Sequence, residues 1–94
     1  MHATIGEPAI TTAEQFHTQI AKALPFPHYY GKNLNALWDV LRIDIERPIE
    51  LTWLNSEVSR KAMSSDFERI IALFNDIIAD DEAYGFPVLS LTLK

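Results

Sequence analysis

The run Tyr29-Tyr30-Gly31-Lys32-Asn33-Leu34-Asn35-Ala36-Leu37-Trp38-Asp39 decides how this chain reads. Gly31 marks a turn, and Asn33 stands where an N-cap belongs, with a side-chain oxygen able to accept from the first free amides of a helix. From there Leu34, Leu37, Trp38 and Leu41 recur at helical spacing and form one apolar stripe, which predicts a short amphipathic helix over 33–43. Asn35, Asp39 and Arg42 fall on an adjoining face, because residues three or four apart lie one above another on a helix surface.

Upstream of this run, His2 to Ile5 is a β-prone stretch closed by Gly6, and Thr12 with Gln15 makes a capping box that opens a helix over 12–24. Phe16, Ile20 and Leu24 give that helix its apolar side, and Pro25 and Pro27 end it by removing backbone donors and restricting the residues before them. Downstream, Ile49, Leu51 and Trp53 alternate with Glu50 and Thr52, the pattern of a strand over 49–54 with one more polar face. Asn55 or Ser56 can cap a helix over 56–63, and Ser64 or Ser65 a longer one over 65–81 whose broad apolar face is Phe67, Ile70, Ile71, Phe74, Ile77 and Ile78. Gly85 closes that region, and Pro87 stands at the entrance of a last strand over 88–93, where a missing donor is tolerated.

The order is therefore β-α-α-β-α-α-β. Strands separated by helical crossovers imply an α/β fold in which a three-stranded parallel sheet is packed with four helices. A chain of 94 residues has room for one core, and with no repeat, linker or low-complexity tract it reads as a single domain over 1–94.

Composition narrows the function. Apolar residues make up 48% and charged residues 22% of the chain, as in a globular protein rather than a disordered one. There is no cysteine, so disulfides, thiolate nucleophiles and Cys-based zinc sites are excluded, and His2, His17 and His28 lack metal-ligand spacing; neither a metal nor a cofactor is expected. No targeting signal or membrane-length apolar segment is visible, so a soluble, cytoplasmic protein is expected. Thirteen acids against eight bases give a net charge of −5, which argues against direct binding of nucleic acid and for a basic partner.

No catalytic pattern stands out: there is no nucleophile with its base, no phosphate-cradling glycine loop and no metal cluster. His17 lies mid-helix beside the apolar stripe and reads as a surface or boundary residue rather than a general base; His28 could sit on a functional loop. Local physics alone favours a plain reading of the 29–39 run, with Gly31 in a turn, Asn33 capping, Trp38 packing and Asp39 a solvated charge. Residues 76–82 hold four acids, Asp76, Asp80, Asp81 and Glu82, with no base. Asp76 and Asp80 are one turn apart on one face, and acids at a helix C-terminus oppose its dipole. A basic partner would offset that cost, and a solvated acidic face is an equal alternative.

The 29–39 run resembles the signature segment of the barstar family of ribonuclease inhibitors, with substitutions only at Lys32 and Asn35. Pro48-Ile49-Glu50-Leu51-Thr52-Trp53 is similar to the family's second strand, and the long acid-ended fourth helix falls where the family has one, so the likeness covers nearly the whole chain. The resemblance implies a barstar-like fold, no catalysis, a cis bond between Arg47 and Pro48, and inhibition by occlusion. The second helix and the loop before it would enter a nuclease cleft, with the carboxylate of Asp39 replacing a substrate phosphate among Arg, Lys and His side chains. Partner-binding residues implied on this pattern are Tyr29, Asn33, Asn35, Trp38, Asp39, Arg42, Asp44, Asp76 and Asp80, with Asp39 foremost, then Tyr29, then Asp76 and Asp80.

Three positions depart from the family pattern: Asn35 replaces a common aspartate, Arg42 a small polar residue and Asp44 an aromatic. The binding face is thus retuned, and the expected partner is a basic ribonuclease or nuclease toxin bound by a chain that is monomeric when free. The competing reading is a barstar-like adaptor or regulator without nuclease inhibition.

Overall fold

The computed structural model describes residues 1–94. Three strands, β1 (His2–Ile5), β2 (Glu50–Trp53) and β3 (Ser90–Leu93), form one parallel sheet in the order β1-β2-β3. Helices α1 (Ala13–Ala23), α2 (Leu34–Asp39), α3 (Ser56–Met63) and α4 (Ser65–Ala83) make the crossovers. The expected α/β architecture and element order are present.

The register explains the alternation seen in the sequence. Ala3, Leu51 and Leu91 align on the inner face, as do Ile5, Trp53 and Leu93, while the outer face carries the rows His2, Glu50, Ser90 and Thr4, Thr52, Thr92. On the outer face Nε2 of His2 lies 2.8 Å from Oε2 of Glu50. Parallel sheets are ordinarily covered on both faces; here the helices bury only one, so β2 alternates instead of reading as a continuous apolar run. Against that inner face Trp53 stacks on Phe16 with ring centroids 5.1 Å apart, meets Phe67 edge-on at 5.1 Å, and donates its indole N–H to Ser59 Oγ at 3.1 Å. A fully buried aromatic thus has ring partners on two helices and its polar tip satisfied.

Local signals hold at the starts of α1 and α2 but not at those of α3 and α4, where Asn55 and Ser64 stand at the N-cap without a side-chain cap bond. Thr12 caps α1 by accepting the amide of Gln15, although Gln15 bonds back to Thr11 rather than to the cap residue itself. Gly6 has φ +99°, and a Cβ there would stand 2.0 Å from the carbonyl oxygen of Leu54, so the turn after β1 admits only glycine. The Arg47–Pro48 bond is cis as expected, and Glu7–Pro8 is cis as well.

Four expectations need correction. The helix expected over 33–43 is α-helical only to Asp39 and continues as a π turn, Val40–Asp44; the wider turn keeps Leu41 and Ile45 buried while Arg42, Ile43 and Asp44 face outward. No breaker in the sequence distinguishes the two windings. The strands are shorter than expected, beginning at Glu50 and Ser90. α4 runs two residues further, to Ala83, and ends as Gly85 takes φ +73° and the amide of Phe86 reaches the carbonyl of Asp81 at 2.9 Å. His17 is not a surface residue: it is buried at 4% exposure, and Nδ1 shares a hydrogen bond with Tyr30 Oη.

Candidate functional site

The 29–44 segment is built outward from buried anchors. Tyr30 is buried, its hydroxyl against His17 and its ring edge-on to Phe26 at 4.8 Å, which leaves Tyr29 pointing away with 68% exposure. Lys32 takes a left-handed conformation to turn the chain into α2. Asn33 then caps the helix, its Oδ1 accepting from the amide of Ala36 at 2.8 Å and its Nδ2 donating to Gly31 O at 3.3 Å, so this side chain is already committed to holding the turn. Leu37, Val40 and Leu41 sink into the core and fix the outward face, on which Asn35 and Asp39 are both exposed.

Two arrangements join this face to α4. A shallow apolar groove is lined by Leu34, Asn35, Trp38, Ala72, Leu73 and Asp76, among others, which brings Asn35, Trp38 and Asp76 together. Beside it, Arg42 contacts Asp80 through Nη1, and its guanidinium carbon lies 5.0 Å from the centroid of the Trp38 ring. Tyr29 and Asn33 on the preceding loop, Asp39 at the end of α2 and Asp44 at the end of the π turn line neither arrangement.

The acids of α4 do not form one uncompensated cluster as the sequence suggests. Asp80 is paired with Arg42, and Asp81 is buried with its Oδ2 accepting from Arg47 Nε at 2.8 Å and from the amide of Leu89 at 3.2 Å. Two guanidinium groups from the neighbouring segment therefore supply the positive charge that the last turn of α4 lacks. No partner is needed to account for Asp80 and Asp81. Asp39, Asp44 and Asp76, by contrast, enter no ion pair, whereas every arginine does.

Sequence reasoning missed Arg47 and the His17–Tyr30 pair, because their partners lie 34 and 13 residues away along the chain. It also passed over Tyr84 and Phe86, both exposed, which line a small recess with Arg42, Ile45, Arg47, Asp80 and Asp81. Their position on either side of Gly85 after an acid-rich helix was the available signal.

Chemically these segments offer acceptors: the Asp39, Asp44 and Asp76 carboxylates, none in an ion pair, and the Asn35 amide, with the Tyr29 phenol exposed on the loop before α2. No three His, Asp or Glu side chains gather as a metal site, and no helix is long and apolar enough to cross a membrane. The fold is that of a small α/β protein with exposed acids on α2, the π turn and α4.

Residues 1–91 match the family model described as Barstar (barnase inhibitor), and the chain belongs to the barstar family. It is also similar to the protein named "Putative ribonuclease inhibitor YrdF" of Bacillus subtilis (strain 168), at 33% identity over 63 residues, covering 67% of this chain and 69% of that protein. The family is one of ribonuclease inhibitors rather than enzymes.

Proposed function

We propose that the chain is a stoichiometric inhibitor, acting as an immunity protein, of a basic ribonuclease or nuclease toxin. It seats α2 and the loop before it in the active-site cleft, with the Asp39 carboxylate where a substrate phosphate would lie. The observation that carries this reading is the state of Asp39: exposed, in no ion pair, and presented by a helix pinned through Leu37, Val40 and Leu41. A carboxylate held this way accepts paired, charge-assisted hydrogen bonds from arginine much as a phosphate does, without ordering a flexible loop on binding. Asp76, across the groove from Asn35, and Asp44 extend the negative surface. In this reading the chain works in the cytoplasm, is monomeric until it meets the nuclease, and binds neither nucleic acid nor membrane.

The test is a titration of RNA cleavage by a panel of basic ribonucleases, barnase included, with complex formation followed by size exclusion. Activity falls linearly to an end point at one equivalent for the cognate enzyme. A complex that leaves cleavage intact for every enzyme bound would favour the adaptor reading instead.

A further inference from the structure

Lys32 stands exposed on the loop before α2 and Arg69, paired with Asp66, lines the groove, but Arg42 is the cation held between the π turn and α4. Arg42 projects from the π turn, contacts Asp80 of α4 through Nη1, and covers the ring of Trp38. Its side chain is still 36% exposed, so part of a five-donor guanidinium edge faces outward. Asp80 is thereby matched within the chain, while Asp39 and Asp76 remain free on the same two helices.

We infer that Arg42 is a specificity-determining residue of this face, rejecting nucleases that bring a cation to Asp80 and favouring a partner that presents a carboxylate to the guanidinium edge. The inference rests on the inhibitor reading above and sharpens it. An arginine or lysine arriving at this point meets a like charge, and because Arg42 already occupies Oδ2 of Asp80, a paired contact with both carboxylate oxygens requires displacing Arg42 from the carboxylate and the ring. Like-charge juxtaposition at an interface is a strong means of refusing wrong partners, and discrimination commonly depends on such a repulsive element beside the attractive ones. Asp39 supplies the attraction shared by all basic clefts, and Arg42 sorts among them.

The experiment measures the affinity of barnase, as a nuclease with a cationic cleft, for the parent chain, Arg42→Gln, Asp80→Asn and the double variant, each checked for fold by circular dichroism. Arg42→Gln is expected to bind at least about tenfold more tightly than the parent, since it removes the opposing charge and releases Asp80. The gain should shrink in the Asp80→Asn background, where there is no carboxylate to release. An unchanged or weaker affinity for Arg42→Gln, binding by neither protein, or a gain undiminished by Asp80→Asn would overturn the role of Arg42. Inhibition of the cognate nuclease by the parent, lost in Asp39→Ala, reports separately on the inhibitor reading, so the two can fail independently.

Discussion

Arg47 donates Nε–H to Oδ2 of Asp81 at 2.8 Å, with 11% and 8% of the two side chains exposed. The same guanidinium donates through Nη1 to the carbonyls of Leu41 and Ile45, and the same carboxylate oxygen accepts the amide of Leu89. One ion pair thus ties the π turn, the C-terminus of α4 and the entrance to β3, and so fixes how α2 stands beside α4. Removing one partner of a buried pair leaves the other uncompensated, at a cost of about 3–5 kcal/mol. Asp81→Asn should lower stability by that order in urea unfolding; a loss well under 1 kcal/mol would show that the pair is not a main tie.

The buried pair His17 and Tyr30 sets a pH dependence. Burial lowers the His17 pKa from its ordinary 6.5, with the charge of Lys32 adding to the effect, and burial raises that of Tyr30. A histidine with a depressed folded pKa binds fewer protons folded than unfolded, so its contribution is full above pH 6.5 and is lost as pH falls through the lowered folded value. Denaturant unfolding of the parent and of His17→Gln should show the parent losing its advantage below that pH. A difference between the two that is constant from pH 8 to pH 5 would contradict this assignment.

How much of this was legible in the sequence follows from the range of each interaction. Caps, strand alternation and proline stops act within a few residues, so Asn33, the β2 pattern and the end of α1 could be read directly. Two plain facts of the site were likewise visible: Asp39 exposed and Trp38 packed, half-buried, against the core. The winding of 40–44 was not, since an i to i+5 turn and an α turn share the same apolar pattern over so short a run. Nor were the charges. Asp80 and Asp81 read as surface acids until Arg42 and Arg47, 38 and 34 residues earlier, are placed against them.

Those pairings also change the expected ranking of the face. Asp76 is exposed and free, while Asp80 is matched by Arg42, so the two acids are not equivalent as sequence spacing implied. Rim charges act mainly by steering encounter, and salt screens them over a Debye length of about 8 Å at physiological ionic strength. Asp76→Ala should therefore slow association with the cognate nuclease and flatten its salt dependence, with Asp80→Ala having the smaller effect. Stopped-flow association at low and high salt measures both; equal effects at the two positions would mean that Arg42 does not shield Asp80 in solution.

Whether Asp39 takes the place of a substrate phosphate is decided by the inhibition and dissociation kinetics of Asp39→Ala against the nuclease that the parent inhibits. Truncating one partner of a desolvated, hydrogen-bonded charge pair costs about 2–5 kcal/mol and acts chiefly on the off-rate. The folded variant should dissociate faster by the corresponding factor and require a large excess to suppress RNA cleavage. If folded Asp39→Ala instead inhibits at one equivalent and dissociates like the parent, Asp39 does not take the place of a phosphate and the proposed mode of inhibition is wrong.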